Sequence, residues 1–508
     1  MSRILEQLND WVWGIPTLTL ILGLGIYLTI RTNFVQIRLF PQAIRTFFAQ
    51  LKPKNTGDGV SPMQALCTAL AATVGTGNLA GVAGAMAIGG PGAIFWMWIC
   101  GLLGMVLKMA EATLCVRFRQ KVDGQWLGGP MYLISQKLPR TWHFLGGLYA
   151  FFGIVAAFGV GNATQINAVM SGINQAIVAF GGEESRIRNL ILAIILSVTI
   201  ALMLSGGAGR IGRVAEFFVP FAAIAYLLLG IFVLSARFSA IPAAFSAIFR
   251  GAFSPKAVTG GMVGSLLTTL RIGISRGVFT NEAGMGTAGI AHAGAEVDHP
   301  AQQGLLGIME VFLDTIVICT MTALVILVSG VPIPYGTDPG VALTTEAFCA
   351  VCGNWVSIFI AIALALFAFA TVLGWGLYGA RCAQFLFGKQ VWGKFVLLQA
   401  VTVVVGALLN TKTVWILSEI VNGLMAIPNL IALAALSSEF CRLIQEYKEK
   451  PVSKPVEVTN ESFYQRQSLP ALSHAEIPSA GRSGSEGGQK NLSSEHRPAG
   501  FGNPAGLL

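Results

Sequence analysis

Two stretches break into otherwise apolar runs: Ala72-Thr73-Val74-Gly75-Thr76-Gly77-Asn78, with Gly81 and Gly84 beyond it, and Gly273-Ile274-Ser275-Arg276-Gly277-Val278-Phe279-Thr280-Asn281-Glu282-Ala283-Gly284-Met285-Gly286. Each lies in a run long enough to cross a bilayer, which takes about 20 apolar residues as a helix. Taken singly, either could serve only close packing, since small residues let helices approach. Two in matching register, each beside Asn and Thr, predict a pair of interrupted membrane helices.

Working outward, eleven apolar stretches are expected to span: roughly 12–30, 63–88, 91–116, 144–178, 188–205, 214–235, 262–290, 303–329, 355–380, 392–410 and 413–440. Four further spans follow each interrupted one, so helices 2–6 and 7–11 form two five-helix halves. Five is odd, so consecutive halves must have opposite membrane topology. The expected organisation is an N-terminal helix and loop over 1–62, a first repeat over 63–235 and a second over 236–440. A polar tail over 441–508, rich in Ser, Glu, Gly and Pro, reads as disordered.

Composition leaves no soluble alternative. Hydrophobic residues make up 54 % of the 508, charged ones only 11 %, and mean hydropathy is +0.68. A globular domain carries about 25 % charged residues. Of the 57 charges, 14 fall in residues 445–508, seven of each sign, so the excess of +9 sits in the hydrophobic body, mostly in short loops. That distribution argues against a nucleic-acid partner and for the lipid bilayer. Basic residues set the orientation. Loops 31–62, 117–143, 206–213, 289–302 and 381–394 hold fifteen Lys and Arg against seven on the other side. The first set is therefore expected in the cytoplasm, with the N-terminus outside and the tail inside. Cys349 and Cys352 are spaced like half a metal site, but no second pair or His cluster accompanies them, and a structural role is the expectation.

Unwinding a helix in lipid exposes amides and carbonyls, each costing several kcal/mol if unpaired. A ligand can supply the partners. A half-helix starting near Gly77 would aim N–H groups and a positive dipole end at a carboxylate. Carbonyls released around Ala71 and Val74 suit a hard cation such as sodium. Gly75 and Gly77 let a ligand touch backbone, and the Thr73 and Thr76 hydroxyls add neutral contacts. The set fits a small zwitterion plus a cation.

The run Gln64-Ala65-Leu66-Cys67-Thr68-Ala69-Leu70-Ala71-Ala72-Thr73-Val74-Gly75-Thr76-Gly77-Asn78-Leu79-Ala80-Gly81-Val82-Ala83 resembles the alanine or glycine:cation symporter family. So do Gly89-Gly90-Pro91-Gly92-Ala93-Ile94-Phe95-Trp96-Met97-Trp98 and Phe279-Thr280-Asn281-Glu282-Ala283-Gly284-Met285-Gly286. The resemblance runs from about residue 10 to 445. It implies an all-α polytopic membrane protein of LeuT-type fold: one extra N-terminal helix, then a five-plus-five inverted repeat with two broken helices. It also implies sodium-coupled uptake of alanine or glycine, working as a monomer in the plasma membrane (a bacterial inner membrane). Carried over, it makes Thr73, Gly75, Thr76 and Gly77 the carboxylate cradle and Gln165 a polar pocket residue. Phe279 becomes an aromatic wall and Trp375 a closing ring facing it. Sodium would be held by the carbonyls of Ala71, Val74 and Phe367 and the Thr371 hydroxyl. Ala370 departs from the pattern, because the family commonly has a hydroxyl there. Proton coupling is the alternative that this departure leaves.

Ionisable residues inside spans are costly and need partners. Lys108 and Glu111 are read as an internal pair, Arg271, Arg276 and Glu282 as either a gate network or a static brace flanking the second break, and Asp314 as a buried hydrogen-bonded brace, with a proton or cation group as its alternative. Trp96 and Trp98 are read as anchors or packing. Among other function classes, a channel would need several subunits around a pore, which pseudosymmetry within one chain disfavours. An enzyme would need a catalytic or metal cluster, and the five histidines form none. A pump driven by ATP would need a P-loop, and none is present in the sequence.

Overall fold

The computed structural model describes residues 2–51, 59–261, 263, 265–408 and 411–449. The disordered tail expected from the sequence lies, from residue 450 on, outside the described residues. All eleven apolar stretches fall on helix. They are α1 (Ile15–Arg31), the pair α2 (Pro62–Thr73) and α3 (Ala80–Gly89), α4 (Ala93–Arg117), and α5 (Phe144–Phe158) continuing into α6 (Thr164–Ala179). Then come α7 (Arg186–Ser205), α8 (Gly207–Ala236), the pair α9 (Leu266–Asn281) and α10 (Thr287–His292), and α11 (Pro300–Val311) continuing into α12 (Thr320–Ser329). The last are α13 (Val356–Phe387), α14 (Val391–Leu408), α15 (Thr411–Ala435) and α16 (Ser437–Glu449). Among the described residues, eight helical stretches are long and apolar enough to cross a membrane, and the bent pair α2–α3 makes a ninth. The helix α1 and the pair α9–α10 carry the other two stretches at shorter length.

Helix starts follow local chemistry. Ser61 and Gln64 form a reciprocal capping box ahead of α2, with Pro62 at its first position. Ser265 caps α9 and His299 caps α11 through its ring Nδ1. The first break is where it was expected. α2 stops at Thr73, Val74 and Gly75 leave helical geometry, a single 3-10 turn covers Thr76–Asn78, and α3 resumes bent by 53°.

The second break is displaced from its expectation. Gly273 and Gly277 lie inside the continuous helix α9, where they face α4: a Cβ on Gly277 would sit 3.0 Å from the Cys100 side chain. The chain unwinds only over residues 282–286. Gly284 and Gly286 there adopt φ of +87° and +79°, left-handed values that glycine takes without steric cost. Half of that glycine-rich run therefore serves packing and half serves the break.

Two segments within long helices widen to π-helical turns, Gly159–Ala163 between α5 and α6 and Phe312–Cys319 between α11 and α12. A short hairpin, Gln120–Val122 paired with Gln125–Leu127, follows α4. α2 packs against α8 and α13, while α4 packs against α9 and α11, so the two breaks are enclosed by other helices. By contrast Phe217, Phe221, Ile224, Leu228 and Ile231 of α8 are all exposed at helical spacing, as are Ile187, Ile191, Ile194, Val198 and Leu202 of α7. Such continuous apolar stripes match a hydrocarbon surround. α16 extends past residue 441 and buries Phe440, Leu443, Ile444 and Tyr447, so the polar tail begins later than its expected boundary. Cys349 and Cys352 are free thiols.

Candidate functional site

At the first break, Gln165 reaches across from α6. Its Oε1 accepts from the Thr76 hydroxyl at 3.1 Å and from the Thr76 backbone N–H at 3.4 Å. Its Nε2 donates to the Val160 carbonyl at 3.1 Å, inside the π-helical turn, which fixes the amide's orientation. A neutral amide oxygen thus stands where two donors of the break converge. Gly75 is pressed between partners: a Cβ there would lie 2.6 Å from Thr371 Oγ1 and 3.2 Å from Gln165 Oε1. A Cβ on Gly77 would meet Thr280 at 3.3 Å and the Phe279 ring at 3.6 Å. Gly75 and Thr76 thus meet Gln165, and Gly77 meets Phe279, around the same break. Thr73 is buried beside them, but its hydroxyl donates back to the Ala69 and Leu70 carbonyls, each at 3.3 Å. A ligand contact from Thr73 requires that bond to be given up.

Behind the break, Thr371 Oγ1 of α13 lies 2.8 Å from the Ala71 carbonyl and 2.9 Å from the Phe367 carbonyl, with one hydrogen shared between them. Thr371 Oγ1 therefore lies within hydrogen-bond reach of two of the three carbonyl oxygens expected around a cation, between α2 and α13. Hard monovalent cations take such carbonyl and hydroxyl oxygens. Ala370, next to Thr371, is buried and adds no side-chain oxygen.

At the second break, Glu282 sits in left-handed backbone at φ +53°, an uncommon place for a residue with a Cβ. Its carboxylate accepts from the Thr287 hydroxyl at 2.6 Å and from the Trp375 indole N–H at 2.8 Å. Trp375 is 1 % exposed, and Gly161 makes room for it: a Cβ on Gly161 would fall 2.2 Å from that of Trp375. The Trp375 ring is thus tied to the second break through its indole N–H.

The remaining charges regroup relative to their sequence reading. Lys108 pairs with Glu310 of α11 at 3.0 Å, both fully buried. Glu111 instead accepts from the Gly286 N–H at 3.0 Å and the Asn429 amide at 2.8 Å. The expected Lys108–Glu111 pair is therefore replaced by a longer-range one. Glu310 also meets His292 Nε2 at 3.1 Å, and Gln303 Nε2 donates to the Pro62 carbonyl and to His292 Nδ1. Those bonds assign the neutral Nε2–H tautomer to His292. Arg276 does not join Glu282. It pairs with Glu419 of α15 at 3.0 Å and Asp338 at 3.3 Å. Trp96 and Trp98 donate to the Ala252 carbonyl and the Thr320 hydroxyl, packing contacts as anticipated.

Cavities lie at both ends of the broken span. One of about 210 Å³ is lined at the α2 end by Val60, Thr68, Gln125, Ile290, Glu296 and Arg381. The other, about 600 Å³, is lined at the α3 end by Ala80, Asn167, Ser171, Arg276, Asp338 and Glu419. Paired hollows on either side of an enclosed polar centre suit a path across the molecule.

The sequence over residues 1–461 matches the sodium:alanine symporter family. The chain belongs to that family. It is 41 % identical over 439 residues to the sodium/alanine symporter AgcS of Methanococcus maripaludis, covering 85 % of this chain and 94 % of the relative. An uncharacterized transporter of Haemophilus influenzae is 40 % identical over 457 residues, covering 89 % and 97 %. The probable sodium/glutamine symporter GlnT of Bacillus subtilis is 36 % identical over 463 residues, covering 89 % and 93 %. Among solved structures, MhsT in complex with L-phenylalanine superposes with a TM-score of 0.53 at 14 % identity, covering 74 % of this chain and 88 % of that one. The fold is thus LeuT-type, and the family member is a multi-pass membrane transporter of the cation-coupled amino-acid symport class, not an enzyme.

Sequence reading missed Glu282 as the partner of Trp375, Glu310 as the partner of Lys108, and Asn429 as the partner of Glu111. These pairs join residues far apart in the chain. The only local signal was an ionisable residue in an apolar run, which demands a partner without naming it.

Proposed function

We propose that this chain carries small neutral amino acids, alanine and glycine foremost, into the cell together with sodium by alternating access. The observation that supports it most is the gathering of the Ala71 and Phe367 carbonyls with the Thr371 hydroxyl, at 2.8 and 2.9 Å, directly behind Gly75. With the Val74 carbonyl, these form the cation site. Thr73, Gly75, Thr76, Gly77, Gln165, Phe279 and Trp375 form the amino-acid site. A substrate carboxylate takes over the Thr76 donors that Gln165 Oε1 now engages, which makes Gln165 the group that yields on binding. The seven residues of this amino-acid site are all uncharged, which suits a neutral substrate side chain. Relatives with alanine and glutamine in their names support an uncharged amino acid while leaving its size to the aromatic walls.

The five-helix halves 63–235 and 236–440 act as the inverted repeats, with 1–62 as the extra helix and loop and the segment after α16 as the cytoplasmic tail. The excess of basic residues in one loop set supports an outside N-terminus in the plasma membrane. One chain contains both halves of the site, which supports a working monomer. Competition against labelled alanine uptake in proteoliposomes tests the substrate class. Glycine, serine and unlabelled alanine should compete, and lysine and glutamate should not. Preferred, saturable uptake of lysine or glutamate would overturn it.

A further inference from the structure

We propose that Asp314 clasps the two broken helices to each other and so acts as a positioning residue for the transport site, an inference that rests on the functional reading above. Asp314 is fully buried in the π-helical turn between α11 and α12. Each of its carboxylate oxygens receives a hydrogen bond that can be traced to the backbone of a different break.

On one side, the Gly75 N–H donates to Asn78 Oδ1 at 2.9 Å. That contact settles which end of the amide is which, so Asn78 Nδ2 faces Asp314 and donates to Oδ1 at 2.6 Å. On the other side, the Ala283 N–H donates to Asn281 Oδ1 at 2.9 Å. Asn281 Nδ2 therefore donates to Thr315 Oγ1 at 3.1 Å, and the Thr315 hydroxyl, having accepted, donates its one hydrogen to Asp314 Oδ2 at 2.9 Å. Every link is buried, and every donor and acceptor in the chain is matched. The π-helical turn brings the neighbouring side chains of Asp314 and Thr315 to the same strut.

A carboxylate suits this place because it accepts on both oxygens, and charge-assisted bonds are about twice as strong as neutral ones. The strut fixes Gly75, which lies against Thr371 and Gln165, relative to Ala283, the residue after Glu282. A shift of either break is thereby felt at the other. Loosening the strut should disturb the cation and the amino acid together, because both sites include the first break.

The polarity of the strut supplies a test. Exchanging the partners, Asn78→Asp with Asp314→Asn, preserves the links of the strut while giving up the longer contacts of Asn78 Nδ2 with the Asp314 carbonyl at 3.4 Å and Cys319 Sγ at 3.3 Å: the new carboxylate accepts from Gly75 N–H and from the new amide, whose oxygen accepts from Thr315. Asn78→Asp alone sets two carboxylates against each other. Thr315→Val keeps volume and removes both hydrogen bonds of the Thr315 hydroxyl, the one from Asn281 and the one to Asp314. Uptake of labelled alanine would be measured in proteoliposomes at matched protein incorporation, over a range of alanine and sodium concentrations. Asn78→Asp should lose most uptake and the exchange should recover it. Thr315→Val should raise both KM for alanine and the sodium concentration for half-maximal uptake by about 2- to 10-fold, with maximal rate nearly unchanged. A merely structural residue would instead lower the maximal rate at constant KM. Unchanged concentration dependences in Thr315→Val, or an incorporated exchange variant as inactive as Asn78→Asp, overturns the clasp. Should the exchange fail to incorporate, Thr315→Val decides alone. Wild-type protein that takes up no neutral amino acid with sodium sinks the functional reading itself, whereas active wild type with an indifferent Thr315→Val sinks only the clasp.

Discussion

Thr371 joins the Ala71 and Phe367 carbonyls through one hydroxyl, and Ala370 beside it offers no oxygen to replace it. Thr371→Ala should therefore raise the sodium concentration for half-maximal uptake by about tenfold, the scale of one lost bond to a charged group. Alanine KM at saturating sodium should move much less. An unchanged sodium dependence with robust uptake would remove Thr371 from the cation site. Trp375 calls for two variants, because its ring and its N–H have separate partners. Trp375→Phe removes the donor to Glu282 and keeps a ring, so it should impair transport without widening the substrate range. Trp375→Ala should admit valine, leucine or methionine, since one methylene in such a pocket is worth about 1–3 kcal/mol. Inhibition by a graded size series reads this directly. A Trp375→Ala protein that is active with its parent's size preference would show that the ring does not line the substrate's side-chain space.

At the scale of elements, the first break was legible because Val74-Gly75-Thr76-Gly77 concentrates residues that leave a helix freely. The second was legible in kind but not in place. Glycines that pack α9 against α4 look, in sequence, like glycines that unwind, and only the positive φ of Gly284 and Gly286 separates them. The π-helical turns left no compositional mark that the apolar pattern could reveal. Long-range ion partners were equally hidden, because periodicity assigns a face to Lys108 and not the helix opposite it. Close approach also governs the first break. Gly75→Val should abolish transport of every substrate at normal membrane incorporation, because even a Cβ would meet Thr371 Oγ1 at 2.6 Å. Residual uptake with ordinary KM would show that the break does not hold the ligand through Gly75. Packing between α4 and α11 makes a stability prediction. Lys108→Met leaves Glu310 buried without its cation and should destabilise by about 3–5 kcal/mol. Adding Glu310→Gln should restore much of the lost melting temperature in detergent. A single variant as stable as wild type would contradict the pairing.

Across the whole molecule, apolar stripes on α7 and α8 face outward while Asn, Gln, Thr and carboxylates gather at two breaks inside. That separation was readable from composition. What the chain's order could not give is how the candidate site residues meet, because Gln165, Phe279 and the pair Thr371 and Trp375 come from three helices, α6, α9 and α13. Hollows at the α2 and α3 ends flank that centre. The ion pairs of Arg276 with Glu419 and Asp338 stand at the larger one. Accumulating a ligand on one side needs a driving ion, and the proposed function gives that role to sodium. The direct measurement is accumulation of labelled alanine in proteoliposomes at constant pH, with an inward sodium gradient and then with potassium or choline in its place. Transient accumulation above equilibrium, present only with the sodium gradient and abolished when it is collapsed, is the result expected. Uptake that proceeds undiminished without sodium, or that follows an imposed pH gradient instead, would contradict sodium as the driving ion.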